Sequence, residues 1–102
     1  MRCPPTDACN YSPARVPEAL TVAASTRDDV RWPLSNKGPC VDLYAPGVDV
    51  PSAYFATKDG KLTATGTSMA APHVAGAIAL YLQQQQSAPP EQVRFIVQHP
   101  LE

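Results

Sequence analysis

The residues most able to do chemistry gather in one short string, GTSMAAPHVAG, at positions 66–76. Ser68 stands where a Gly-Thr pair ends and an alanine-rich apolar run begins. Two readings compete for it. A serine just ahead of a helix ordinarily caps it, its hydroxyl accepting a bond from a free backbone N–H. A nucleophilic serine gains from the same address, because the helix dipole and the unpaired first-turn N–H groups favour an oxyanion forming beside it. The neighbours shift the balance toward the second reading. Gly66 permits an unusual backbone conformation and the close approach of another segment. Ala70 and Ala71 leave room above the serine. Pro72 suits a first turn, where its missing N–H costs nothing, and Gly76 lets another backbone approach the helix.

A serine that performs acyl transfer needs a general base within about 3 Å of its oxygen. The chain has two histidines. His73 lies five positions after Ser68 on the expected helix, turned by about 140° and displaced by about 7.5 Å along the axis, so it reads as a structural part of the motif. His99 sits near the end of the chain with no motif around it and reads as a surface residue. The chain therefore carries a candidate nucleophile and no candidate base.

The elements that must hold this serine are short. Leu20–Ser25 (LTVAAS) reads as a largely buried strand. SNKG at 35–38 is a turn signal. CVDLYAPG at 40–47 reads as a second strand, with Val41, Leu43 and Ala45 alternating against Asp42 and Tyr44 and a stop at Pro46-Gly47. Segments 52–57 and 61–65 flank Asp59-Gly60, a two-residue hairpin signal. From Ala70, Val74, Ile78 and Leu82 together with Ala71, Ala75 and Ala79 recur every four residues, which predicts a helix ending in the run Gln83–Gln86. A second helix is expected from Pro89-Pro90-Glu91, with Val93, Phe95, Ile96 and Val97 as its apolar face.

Composition bounds the rest. At 102 residues this is one domain or part of one. Leu, Ile, Val and Phe make up about a fifth of the chain, the margin at which a core becomes thin, while the net charge of −1 argues against disorder. Twelve prolines predict frequent turns. The absence of a basic or acidic block leaves no electrostatic case for nucleic acid or an anionic membrane. The longest apolar stretch, within Val74–Leu82, is well short of the ~20 residues that span a bilayer. MRCPPTDACN has no apolar run, so it is neither a signal peptide nor an ordinary domain start. Cys3, Cys9 and Cys40 are an odd number; Cys9 and Cys40 could be bridged, or all three could be incidental thiols.

GTSMAAPHVAG resembles the active-site serine motif of the subtilisin-like serine proteases. The likeness continues upstream: DACNYSPARVPEALTVAAS (7–25), LSNKG (34–38) and CVDLYAPGVDVPSA (40–53) follow the order and spacing of the proteinase-K-like branch, most closely its aqualysin-type bacterial members, over residues 6–86. The resemblance implies an α/β fold, the C-terminal portion of a doubly wound parallel sheet, with a central helix starting at the serine. Ser68 would be both nucleophile and backbone oxyanion donor. It implies a Cys9–Cys40 disulfide, whose loop would contribute about 3.5–4 kcal/mol in the chain-entropy model. It implies a structural calcium ion held by the carbonyls of Pro17 and Ala19 and by Asp42; hard oxygen ligands suit that ion, although Asp42 also reads as a solvated strand residue. Tyr11 matches a residue near the primary specificity pocket and reads equally as core.

In this family the triad runs Asp, His, Ser along the chain, and the first two would precede the DAC segment. The second oxyanion donor, an asparagine in an Ala-Ala-Gly-Asn segment, would fall at Cys3, with Arg2 in place of glycine. A thiol is a weak donor, and losing one such donor lowers the rate by roughly 10²–10³, a magnitude established on subtilisin itself. Residues 1–5 accordingly read as a non-native start, 6–86 as the C-terminal part of a peptidase domain, and 87–102 as a C-terminal helix and tail. The function implied is that of a truncated, extracellular serine endopeptidase acting on polypeptides, inactive as this chain alone. It requires no cofactor for its chemistry and is partnered by the missing N-terminal part of its own domain. The alternative is a non-catalytic degenerate fragment or binding module. Without upstream strands, Val74, Ile78 and Leu82 would lack much of their packing, which predicts a marginal, aggregation-prone chain.

Overall fold

The computed structural model describes residues 5–99. A 3-10 turn, Ala8–Asn10, is followed by four short strands, β1 (Val22–Ser25), β2 (Leu43–Pro46), β3 (Val50–Ala53) and β4 (Lys61–Ala64), and by two helices, α1 (Thr67–Gln84) and α2 (Pro90–Gln98). β1 and β2 run parallel with Ala24 opposite Ala45, while β3 and β4 form an antiparallel ribbon. The described residues thus form the α/β arrangement expected, with α1 laid across the parallel pair.

Small side chains bring helix and sheet together. Ala24, Ala45, Ala70 and Val74 form the buried cluster, ringed by half-buried Leu20, Val22, Trp32, Leu43, Ile78 and Val97. The buried stripe of α1 is therefore Ala70, Val74 and Ile78. Ala71, Ala75 and Ala79, expected on the apolar face, are exposed, because the row that meets Ala24 and Ala45 is the one through Ala70, Val74 and Ile78. At Gly76 no described atom lies within 4 Å of where a Cβ would stand, so the close backbone neighbour expected there is absent among the described residues. Leu80 and Phe55 are 69% and 95% exposed.

Each strand is shorter than its apolar run, and the reason is local. Thr21 and Asp42 leave the ladder to bond one another: the Asp42 N–H donates to Thr21 O at 2.8 Å, and the Thr21 N–H donates to Asp42 Oδ2 at 2.6 Å. On the outer edge of β1, a segment that is not a strand supplies the partners. The Trp32 N–H donates to Ala24 O at 2.9 Å, and the Ala24 N–H donates to the Oγ of fully buried Ser35 at 3.0 Å. A side-chain oxygen completes what a neighbouring strand would otherwise do.

The Asp59-Gly60 hairpin is corrected by the register. Val50 pairs with Ala64 and Ala53 with Lys61, so the connection runs from Tyr54 to Gly60. Gly60 closes a turn in which its N–H reaches Thr57 O at 3.4 Å, and Tyr54 N–H donates to Gly60 O at 3.0 Å. Glycine is favoured at the last position of such a turn. α2 begins at Pro90 as predicted, capped by Pro89 with Glu91 in its first turn. Its inner side holds half-buried Val93 and Val97; Phe95 turns outward and stacks on His99 with ring centroids 4.5 Å apart.

Candidate active site

Ser68 is the second residue of α1, and the cap is Gly66, which makes no side-chain capping bond. The capping role open to this serine is therefore not the one it adopts. At that position a backbone N–H has no acceptor within the helix, whereas the next one, Met69 N–H, turns back to Gly66 O at 3.0 Å. No acidic residue occupies the first turn, so the positive end of the helix is not neutralised from within it. Pro72 lies in the second turn rather than the first. Its lacking N–H takes away the donor that would have met Ser68 O.

What holds the serine in place is a glycine contact at the carboxyl ends of the parallel strands. The Gly47 N–H donates to Ser25 O at 3.1 Å, and the Gly66 N–H donates to Gly47 O at 2.8 Å. The chain leaving β2 is thus tied to β1 on one side and to the cap of α1 on the other. A Cβ at Gly47 would stand 2.6 Å from Ala24 Cβ and 2.7 Å from Gly66 O. Position 47 must be glycine for these three segments to meet.

Ser68 is exposed and lines an open cleft with Val50, Ser52, Met69, Pro72 and His73. His73 turns its Nδ1 to Met69 O at 2.8 Å, the carbonyl one turn back. It is bound to its own helix, as its spacing predicts. His99 is exposed, with Nδ1 3.0 Å from Phe95 O. Tyr11 is half exposed just after the 3-10 turn and does not line the cleft. Cys3 and Arg2, where the second oxyanion donor would fall, lie outside the described residues.

Cys9 and Cys40 are joined by a disulfide, their Cα atoms 5.3 Å apart. The two backbones are brought together by neighbouring bonds: Ala8 N–H to Lys37 O at 2.8 Å and Lys37 N–H to Thr6 O at 3.0 Å. Gly38, at φ 108°, makes the tight passage between them; a Cβ there would strike Asp7 Oδ1 at 2.7 Å.

At the opposite end of β1 and β2, the three expected calcium ligands do converge. They converge on a side chain. Arg94 of α2 donates from Nη2 to Pro17 O at 3.0 Å and to Ala19 O at 2.8 Å, and from Nη1 to Asp42 Oδ1 at 3.0 Å. The oxygen set is of the kind a hard cation takes, but a divalent ion at its centre would overlap the guanidinium. With Arg94 in place the residues do not fit calcium, and no cluster of three or more His, Cys, Asp or Glu side chains that could hold a metal occurs among the described residues. Sequence reasoning missed Arg94. The available signal was a cation at position 94 beside Val93 and one turn before Val97, on the half-buried side of α2.

The profile of the subtilase family matches residues 4–101, wider at both ends than the motifs alone. The chain is 52% identical over 91 residues to alkaline serine exoprotease A of Vibrio alginolyticus, covering 89% of this chain and 17% of that protein. It is 54% identical over 87 residues to the extracellular serine proteinase of Thermus sp. strain Rt41A, covering 85% of this chain and 21% of that one. The structure of a cold-adapted subtilisin-like serine proteinase superposes with a TM-score of 0.85 at 50% identity, over 89% of this chain and 33% of its own. The chain thus spans about a fifth of the length of these two curated relatives. A family match over nearly all its residues, borne by the same serine string that opens α1, places this chain in the subtilase family, among the subtilisin-like serine proteases.

Proposed function

We propose that Ser68 is the nucleophile of a serine endopeptidase. Its Oγ attacks the carbonyl carbon of a peptide bond and forms an acyl-enzyme ester. The serine proton passes through a general base to the departing amine, and water then hydrolyses the ester. The Ser68 N–H, free of an intrahelical acceptor, donates to the oxyanion as the carbonyl becomes tetrahedral. No cofactor enters these steps. The observation that carries this reading is the exposed serine at the second position of α1, within a motif that matches the family and above an open cleft. Among the described residues neither histidine hydrogen-bonds Ser68, and each turns its Nδ1 to a carbonyl of its own helix, which supports a base supplied from outside this chain. The 102-residue chain by itself is then inactive. Its partners are the remaining part of the domain and, in the whole protein, a polypeptide substrate. The name of the Thermus relative supports an extracellular location, and no helix among the described residues is long and apolar enough to cross a membrane.

The test is a chimera in which residues 6–99 replace the matching segment of the Thermus proteinase. It should hydrolyse peptides, and Ser68→Ala should lower kcat by about 10⁶-fold, the size of loss known for removing the nucleophile of subtilisin. A fluorophosphonate should leave the 102-residue chain unlabelled. Rapid stoichiometric labelling of Ser68 in that chain would show that it contains its own base. A well-folded but inert chimera would favour the degenerate fragment.

A further inference from the structure

We propose that Arg94 is a built-in cation that takes the place of a divalent ion at the amino ends of the parallel strands. The inference does not depend on the catalytic reading of Ser68. Two backbone carbonyls and a carboxylate from separate segments point at one centre, and a guanidinium sits there with three bonds of 2.8–3.0 Å. Carbonyl dipoles aimed at a common point repel one another unless a positive charge lies between them. Arg94 supplies that charge in planar form. Nη2 bridges the two carbonyls of the 17–19 turn, and Nη1 reaches across to the strand-entry carboxylate, a division of donors that a fork geometry permits and a point charge does not.

The surroundings are built for this arrangement. The second oxygen of Asp42 is held by the Thr21 N–H, which orients the first toward Arg94. The Thr21 hydroxyl donates to Ala14 O at 2.8 Å, steadying the turn that presents Pro17 and Ala19. Gln98, one turn further along α2, donates to Asp42 O at 3.1 Å. Arg94 and Gln98 therefore dock α2 onto the loop and strand entry, with Val97 against the core beside them. A free ion would link the loop to Asp42 but would not bring a helix with it. The consequence is a junction indifferent to chelators and to calcium concentration, since its cation is a side chain of the same polypeptide.

Calcium and Arg94 are thus mutually exclusive occupants, and this can be measured on the full 102-residue chain by calorimetric titration with calcium chloride and by thermal unfolding in EDTA or in excess calcium. The wild type should show no saturable calcium binding and the same unfolding midpoint in both media. Arg94→Gln, which removes the charge, should gain calcium binding at least about tenfold tighter than any seen in the wild type, with an unfolding midpoint raised by calcium. Asp42→Asn in the Arg94→Gln background should abolish that gain. Saturable calcium binding by the wild type that Asp42→Asn removes would overturn the proposal, as would a folded Arg94→Gln protein with no new affinity. If Arg94→Gln folds in neither medium, the wild-type titration alone decides between the two outcomes.

Discussion

The two ends of the β1–β2 pair are built on opposite principles. At the amino ends, nearly every polar group has found a partner: Thr21 and Asp42 bond each other, Arg94 ties three oxygens together, Gln98 adds a fourth bond, and the Cys9–Cys40 bridge closes the segment that leads in. At the carboxyl ends, the strands hand over to a glycine contact and a helix whose first N–H groups are left without intrahelical acceptors. In open α/β sheets ligands bind beyond the carboxyl ends of the strands, and the asymmetry here follows that rule. Saturated polar groups hold a structure still. Unsaturated ones, held in place by their neighbours, are available to a substrate.

The sharpest way to break this contrast is to loosen the saturated end. Replacing Cys9 and Cys40 together by serine should cost about 3.5–4 kcal/mol, from the loop entropy the bridge removes. Urea unfolding of the oxidised and substituted chains would measure it, and a loss under about 1 kcal/mol would mean that the Arg94 junction and the Lys37 bonds already close that loop. The second change strikes the reactive end. Gly47→Ala places a methyl group against Ala24 Cβ and Gly66 O, and should destabilise by about 1–3 kcal/mol. In the Thermus chimera it should also lower kcat more than it raises KM, because the displaced Gly66 carries Ser68 with it. Equal stability and activity would remove Gly47 from the account of how the serine is positioned.

The smallest effect is the most discriminating about context. Gly76→Ala on the exposed face of α1 should stabilise the 102-residue chain by about 0.5–1 kcal/mol, since nothing described approaches that position and alanine is the better helix former. In the chimera the same change should destabilise, if the rest of the domain packs its backbone against this glycine. Matching signs in the two hosts would mean that α1 keeps an open face in the complete domain.

Much of the site was legible because its parts lie close along the chain. The serine string, the helix after it and the two strand cores are contiguous, so propensity and apolar spacing were enough to find them. Legibility failed where a residue's role depended on what lay across from it. The hairpin signal at Asp59-Gly60 is a real turn, but pairing from Val50 onward placed it at the end of a longer connection. The row Ala71, Ala75 and Ala79 and the row Ala70, Val74 and Ile78 both belong to the apolar pattern of α1, and only contact with Ala24 and Ala45 shows that the second is the one covered.

By itself the sequence determined the serine motif, the order of the elements and, through likeness to a family, the cysteine pair that would be bridged. Tertiary structure alone decided that Ser68 stands inside the first turn instead of capping it. It alone brought Arg94 onto oxygens 52 to 77 positions away in the chain. The physical reason is that backbone conformation is governed by near neighbours, whereas a charge settles wherever the folded chain gathers the oxygens that can surround it.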